Sequence, residues 1–175
     1  MSIRLGSLRP RDRARVAELL VSTAVFSRAE IDVALQLFDA TVLGEGTAGA
    51  DDAHVPDYEF TGAFDGEQLL GYACAGPTPA TEGTFDLYWL AVDAAAQGKG
   101  IGTALVREVE RELRDRGARM LLVETSSRPD YSDTRAFYAH CGYTEAARIT
   151  DFYAPADDRI MLTTRLTQER GAATR

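Results

Sequence analysis

Glycines that could bind an anion follow a strand-like run that ends at Val92. Gly98, Gly100 and Gly102 lie just before a helix-like pattern, and Lys99 separates the first two. Glycine has no Cβ, so its backbone N–H group can approach an anion closely. The start of a helix adds unpaired N–H groups and the positive end of the helix dipole. The spacing therefore predicts a loop that binds phosphate oxygens, with a plain strand-to-helix junction as the alternative.

Two common phosphate-binding motifs fit this loop poorly. A Walker A loop requires GxxxxGK followed by Ser or Thr, whereas Lys99 is followed by another glycine. A dinucleotide-binding fingerprint requires GxGxxG directly after the strand and an acidic residue after the next strand. Glu124 supplies such an acidic residue, but Thr103 replaces the third glycine. The match to the dinucleotide-binding fingerprint is therefore only partial. A fragment of a nicotinamide-dependent reductase is kept as an alternative.

Composition indicates a globular protein of about one domain. The chain has 175 residues, of which 45% are hydrophobic and 26% charged, and its formal net charge is -8. Acidity argues against a nucleic-acid partner, because phosphates attract clustered Lys and Arg, and it favours a cationic or amine-bearing small substrate. Cys74 and Cys141 form no CxxC motif, which predicts no disulfide and a reducing compartment. Without a signal peptide or a long apolar run, the protein is expected in the cytoplasm and not in a membrane.

Hydrophobic periodicity predicts alternating strands and helices. Strands are expected over residues 2–8, 84–92, 118–126, 144–153 and 158–166, and a hairpin over 58–76 with its turn at Asp65-Gly66. Helices are expected over residues 9–20, from a capping box at Ser27 and Glu30 onward, and over 100–116 and 133–140. These elements predict one domain over residues 1–166 and a polar tail over 167–175. His54 lies in an acidic loop over residues 44–56, which we interpret as solvated surface and not as a metal site.

Two motifs in the second half of the chain resemble those of the GCN5-related N-acetyltransferase (GNAT) superfamily. Residues 97–102, QGKGIG, resemble the Q/R-x-x-G-x-G/A signature, and the preceding LAV of residues 90–92 is also typical. Residues 135–143, RAFYAHCGY, resemble the A-x-x-F-Y-x-x-x-G-F/Y segment. The chain departs from the family at Tyr131, where Asn is frequent, and at Thr134, where Ala is frequent.

The resemblance implies an α/β (α+β mixed) fold. This GNAT fold has a twisted mixed central sheet of six to seven strands flanked by about four helices. Acetyl-CoA would enter as cosubstrate, with its pantetheine arm on the main chain of residues 90–92 and its pyrophosphate on N–H groups of residues 98–103. The implied cofactor-binding residues are Leu90, Ala91, Val92, Gln97, Gly98, Lys99, Gly100, Ile101, Gly102 and Thr103.

The resemblance also implies the chemistry. Acetyl transfer to an amine requires loss of an ammonium proton, donors for the oxyanion and a proton for the departing thiolate. Tyr138 matches the family's general acid, and the Val92 N–H matches its oxyanion donor. Asp86 corresponds to the strand position of a glutamate base in some relatives, while Glu124, Glu82 and a water chain are alternatives.

The expected activity is acetyl-CoA-dependent N-acetyl transfer to a small molecule or peptide, by direct attack of the amine in a ternary complex. A non-catalytic acyl-CoA-binding or regulatory module of the same fold is the alternative, and the retained Tyr138 argues against it. Tyr88 and Trp89 could line the acceptor pocket, although strand alternation predicts that one of them packs in the core. The acceptor itself and the pairing of edge strands in a homodimer are left open.

Overall fold

The protein forms a seven-stranded mixed sheet with four α-helices in the residues that the computed structural model describes, 2–44 and 58–166. The strands are β1 Ile3–Ser7, β2 Glu59–Asp65, β3 Gln68–Pro77, β4 Thr84–Val92, β5 Met120–Ser126, β6 Thr144–Ala154 and β7 Asp157–Arg165. The helices are α1 Arg13–Ser22, α2 Arg28–Phe38, α3 Ile101–Asp115 and α4 Ser132–His140. The sheet order is β1-β2-β3-β4-β5-β7-β6, which confirms the predicted fold class.

The chain divides into two compact units. The first contains Met1–Pro77 and Leu87–Val109, and the second contains Thr78–Asp86 and Glu110–Arg175. Strand β4 begins in the second unit and ends in the first, whereas α3 runs from the first into the second. The single domain over residues 1–166 stays a prediction. His54, most of the acidic loop and the tail over 167–175 lie outside the described residues.

The first unit is organised around an antiparallel three-stranded segment. Strands β1 and β2 pair antiparallel, and so do β2 and β3, with Asp65 opposite Gln68 at the hairpin turn. Gly66 has φ +60° there, which confirms the expected turn. Large apolar side chains of this unit form one cluster with less than a tenth of their surface exposed: Leu8, Val16, Leu19, Leu20, Phe38, Phe60, Phe64, Leu69 and Tyr72.

Helix α2 begins with the predicted capping box. The Ser27 Oγ accepts from the Glu30 N–H at 3.3 Å, and the Glu30 carboxylate accepts from the Ser27 N–H at 2.7 Å. Each contact gives a hydrogen-bond acceptor to a backbone N–H group that the start of a helix would leave unpaired. At its other end α2 continues into a π-helical turn, Asp39–Leu43, which the periodicity did not predict.

The second unit contains β5, β7 and β6 in antiparallel order, with the first residues of β4 alongside. Thr84, Phe85 and Asp86 pair in parallel with residues 120–122 of β5. Strand β6 is the edge, and all of its residues are exposed. Gly117, with φ +79°, follows the end of α3, as the sequence predicts. In the part of the chain that the structure describes, no helix has the length and apolar character to cross a membrane.

Candidate active site

The end of β4 packs tightly against β3 in the first unit. A Cβ at Gly71 would lie 2.8 Å from the Ala91 carbonyl oxygen and 3.1 Å from Cγ2 of Val92. Ala91 is buried, whereas Leu90 and Val92 are half-buried. Because alternate strand residues face the same side, Leu90 and Val92 share one face of β4 and Ala91 lies on the other.

Asp93 organises the turn that follows β4. Its N–H donates to the Leu70 carbonyl at 2.8 Å, and its carboxylate accepts from the Ala95 N–H at 2.8 Å. The carboxylate thereby caps a short 3-10 turn, Ala94–Ala96. The Ala95 N–H is the largest cause that lowers the pKa of Asp93 below its ordinary value, so the cap stays ionised at neutral pH.

The glycines of the loop adopt backbone conformations that favour glycine. Gly98 has φ +73° and Gly100 has φ +78°, and a Cβ at either position would meet no atom within 4 Å. The Ala104 N–H donates to the Gly100 carbonyl at 2.9 Å, so the first turn of α3 closes on Gly100. The N–H groups of residues 101–103 precede the first helical hydrogen bond, where helix starts bind anions. The loop is therefore open and presents N–H donors together with the positive end of a helix dipole.

Two polar side chains of the loop bond to the loop itself. Gln97 Nε2 donates to the Val92 carbonyl at 3.3 Å, and Lys99 Nζ donates to the Ala95 carbonyl at 3.0 Å. Both side chains are exposed. They bring one amide and one positive charge beside the glycines. All ten predicted cofactor-binding residues lie within residues 90–103 of the first unit.

Tyr138 lies on α4 in the second unit, where it is 5% exposed. Its ring packs edge-on against Phe137, with 5.1 Å between centroids, and against Tyr143, with 5.4 Å. Burial raises the pKa of the Tyr138 hydroxyl above its ordinary value. The side chain is therefore held in place and stays protonated at neutral pH, as a proton donor must be.

Comparisons with known proteins identify the family of this chain. A sequence model of the Acetyltransferase (GNAT) family matches residues 18–143, well over half of the chain. The chain belongs to the GNAT family. It is an acetyltransferase, and acetyl-CoA is its cosubstrate. No curated protein sequence matches it.

Solved structures of GNAT proteins have the same fold. A putative GNAT acetyltransferase from Desulfovibrio desulfuricans is 39% identical, has a TM-score of 0.84, and the match covers 95% of this chain and 99% of that one. A putative acetyltransferase from Salmonella typhimurium with its cofactor acetyl-CoA is 16% identical, with a TM-score of 0.70 and 97% of both chains covered. An aminoglycoside 6'-N-acetyltransferase complexed with coenzyme A is 16% identical, with a TM-score of 0.71 and coverage of 94% and 98%.

The carboxylates proposed as base have different surroundings in this GNAT enzyme. Asp86 is half-buried, and its Oδ2 accepts from the Thr78 hydroxyl at 2.5 Å. Glu124 forms an ion pair with Arg159. Glu82 is exposed. Among the described residues, no group of three or more His, Cys, Asp or Glu could hold a metal ion.

Arg15 on α1 anchors the loop of this GNAT domain from outside its motif. One guanidinium nitrogen pairs with the Asp93 carboxylate, Nε donates to the Leu69 carbonyl at 3.0 Å, and Nη1 donates to Glu18 at 2.9 Å. The guanidinium therefore ties α1 both to β3 and to the turn after β4. Sequence reasoning missed Arg15, because the partners in its ion pair with Asp93 are 78 residues apart and no local pattern links them.

Replacement of Arg15 by Met is expected to raise the KM for acetyl-CoA by roughly 3- to 10-fold, since only part of the about 1.5–3 kcal/mol that a charge-assisted hydrogen bond contributes would act on the loop through Asp93. Initial rates against acetyl-CoA concentration provide the measurement. Arg13→Met is the matched control, because Arg13 is on the same helix and pairs with Asp39 at 2.5 Å, away from the loop. Equal KM values for the two variants would show that the anchor does not support cosubstrate binding.

Glu110 on α3 is a second residue that sequence reasoning missed. Its side chain is 1% exposed, pairs with Arg114 at 3.0 Å, and lies beside Tyr143, whose pKa is raised first by burial and then by this carboxylate. A signal was present, because Glu110 follows Val106 by four residues and precedes Leu113 by three, on the apolar face of the helix. Within the second unit, Glu110 thus lies beside Tyr143, and the ring of Tyr143 packs against Tyr138.

Proposed function

We propose that this acetyltransferase transfers an acetyl group to the amine of a small molecule or peptide, by direct attack within a ternary complex. The observation that carries the proposal is the segment of residues 97–103, which combines two left-handed glycines with the start of α3. Such a segment suits the diphosphate of a coenzyme A thioester. N-acetyl transfer is also the activity named for the aminoglycoside 6'-N-acetyltransferase of similar fold.

The cosubstrate would lie along the end of β4 and the loop. The main chain of Leu90, Ala91 and Val92 would bond to the pantetheine arm, in the manner of an added strand. The N–H groups of residues 98–103 would bond to the diphosphate, and Gln97 and Lys99 would flank it. The residues present fit this assignment, because nothing within 4 Å fills the space beside Gly98 and Gly100.

Side chains of this protein would then donate and accept the protons of the reaction. The acceptor nitrogen forms a bond to the thioester carbonyl carbon, and the carbon–sulfur bond breaks as coenzyme A leaves. The Val92 N–H would stabilise the oxyanion, and the Tyr138 hydroxyl would give its proton to the departing thiolate. Asp86 would accept the first proton that the acceptor ammonium loses. Its hydrogen bond with Thr78 keeps the carboxylate oriented. The second proton, which the nitrogen loses as the amide forms, would restore the Tyr138 hydroxyl.

A non-catalytic acyl-CoA-binding module is the second candidate, and Tyr138 favours the enzyme over it. A binding module needs no buried, protonated hydroxyl on α4. Cytoplasmic location also belongs to the proposal, supported by Cys74 and Cys141, which are buried and form no disulfide. A homodimer that pairs exposed edge strands such as β6 stays a prediction.

Release of free thiol from acetyl-CoA, measured against a panel of amines, tests the function. Turnover is expected with at least one amine class, and acetyl-CoA or coenzyme A should raise the Tm through preferential binding to the folded state. NAD serves as the control ligand and should leave the Tm unchanged. Thiol release that no amine stimulates, despite a shift of Tm by coenzyme A, would favour the binding module. A Tm shift by NAD alone would favour the reductase fragment.

A further inference from the structure

An aromatic cavity in the first unit lies on the strand that the cosubstrate is proposed to follow. Its volume is about 430 Å³. Its lining residues come from helix α2, the π-helical turn, β4 and Tyr58, which precedes β2. The described residues that line it are Val33, Gln36, Leu37, Ala40, Tyr58, Tyr88 and Trp89. A cavity of this size accommodates a small organic molecule.

The aromatic rings of the cavity are held by their neighbours. Tyr58 and Tyr88 pack edge-on with 5.2 Å between centroids, above Gly76, where a Cβ would lie 2.6 Å from Cδ1 of Tyr58. Trp89 packs edge-on against Phe26, also at 5.2 Å. Trp89 is half-buried and packs against the core cluster, as strand alternation predicts, whereas Tyr88 is 39% exposed. Tyr88 and Trp89 nevertheless line the same cavity. Because neighbouring rings hold its aromatic side chains in place, the cavity is preformed.

The chemistry of the lining selects the kind of molecule that it can bind. None of the described lining residues carries a charge, and their polar groups are two phenol hydroxyls, the Trp89 indole N–H and the Gln36 amide. A ligand with several ammonium groups would lose hydration in such a cavity without ion pairs to replace it. An aromatic or branched aliphatic group would gain burial, and a single ammonium can lie against an aromatic face.

We propose that this cavity binds the body of the acetyl acceptor, and that the acceptor carries its primary amine on one aromatic or branched aliphatic group. The inference rests on the proposed function, since it assigns the acceptor of that reaction. Continuity along β4 supports it, because Tyr88 and Trp89 come directly before Leu90 and Val92. At roughly 3.3 Å per strand residue, Tyr88 lies within about 13 Å of the Val92 N–H, near the expected thioester.

The residues that line the cavity are a more direct guide to the acceptor than the net charge of the whole chain. Acidic residues exceed basic ones by 27 to 19, which favours a cationic acceptor in general. None of the acidic residues, however, is among the described residues that line this cavity. A polyamine or an aminoglycoside is therefore disfavoured, and a mono-amine with an apolar body fits better.

Direct binding can be measured because Trp89 is the only tryptophan of the chain. Its fluorescence, excited at long wavelength with coenzyme A present, should change saturably on addition of 2-phenylethylamine or 2-cyclohexylethylamine. Spermidine and kanamycin should produce no saturable change. A response to spermidine as strong as that to 2-phenylethylamine would overturn the proposal, and so would no response to either apolar amine.

Two exposed valines provide a matched pair of variants. Val33 lines the cavity and is 55% exposed, whereas Val21 on α1 is 64% exposed and does not line it. Val33→Lys places a charge beside the apolar body and should raise the KM for 2-phenylethylamine by about 10-fold or more, with the KM for acetyl-CoA unchanged. Val21→Lys should leave both KM values unchanged. Equal KM values for 2-phenylethylamine in the two variants would contradict the assignment.

A second variant covers the case in which Val33→Lys does not fold. Ala40→Phe fills the cavity and should penalise 2-phenylethylamine more than the short amine n-propylamine, whose body needs less space. The same penalty for both amines would overturn the inference. The proposed function is judged separately by thiol release. If apolar amines bind but are not acetylated while spermidine is, the function stands and the acceptor assignment fails.

Discussion

Replacement of Tyr138 by Phe is expected to lower kcat by about 10²- to 10³-fold, in the range of general-acid catalysis. The hydroxyl is lost while the ring keeps its edge-on contacts with Phe137 and Tyr143. The KM for acetyl-CoA should change by less than a few-fold, because Tyr138 is not among the residues assigned to cosubstrate binding. Steady-state kinetics with the best amine of the panel, together with the Tm, provide the measurement.

Tyr143→Phe is the matched control for this variant. Tyr143 is equally aromatic and buried, but its hydroxyl lies beside Glu110 and has no assigned role in proton transfer. We expect a lower Tm, because the buried Glu110 carboxylate loses a polar neighbour, and a kcat within a few-fold of the wild type. If both variants reduce kcat equally, packing in the second unit and not proton donation would account for the effect of Tyr138.

The pH dependence follows from the burial of Tyr138. Burial raises the pKa of the hydroxyl above its ordinary value near 10, so the donor stays protonated throughout the neutral and mildly alkaline range. The kcat of the wild type should therefore show no alkaline decrease below about pH 10 from loss of this proton. Because the donor is protonated over this whole range, the ratio of kcat between the wild type and Tyr138→Phe should be independent of pH below about pH 10.

Local chemistry made the conformation of the glycine loop predictable from sequence. Gly98 and Gly100 occupy left-handed conformations, and such positions select glycine in any sequence that adopts this turn. The capping box of α2 and the Asp65-Gly66 hairpin turn are equally local, and the structure confirms both. Features that a few adjacent residues decide were therefore predictable. The order of strands and helices followed from periodicity, whereas the fold class followed from the resemblance of two local motifs to those of the GNAT family.

Features that depend on distant residues were not predictable in the same way. The ion pair of Arg15 with Asp93 and the contact of Glu110 with Tyr143 join elements whose proximity only the fold creates. The aromatic cavity likewise combines α2, Tyr58 and β4, and no local motif contains all three. Total charge averages over the whole surface, whereas the proposed acceptor specificity depends on the few side chains that line the cavity.

Replacement of Gly100 by Ala is expected to weaken coenzyme A binding by about 10- to 100-fold. At φ +78° an alanine costs about 1–2 kcal/mol, and relief of that strain would turn the adjacent N–H groups away from the diphosphate. Each charge-assisted hydrogen bond lost adds about 1.5–3 kcal/mol. Isothermal titration with coenzyme A measures the Kd directly, and it needs no assumption about the acceptor.

Gly117→Ala separates strain from binding. Gly117 has φ +79°, and a Cβ there would also meet no atom within 4 Å, so its backbone penalty should match that of Gly100. Both variants should lower the Tm by similar amounts, but only Gly100→Ala should raise the Kd for coenzyme A. S-acetylpantetheine, which has no diphosphate, should be used equally well by Gly100→Ala and Gly117→Ala. A loss with Gly100→Ala that is as large for S-acetylpantetheine as for acetyl-CoA would mean that residues 98–103 do not bind the diphosphate. The mechanism would then need another anion site.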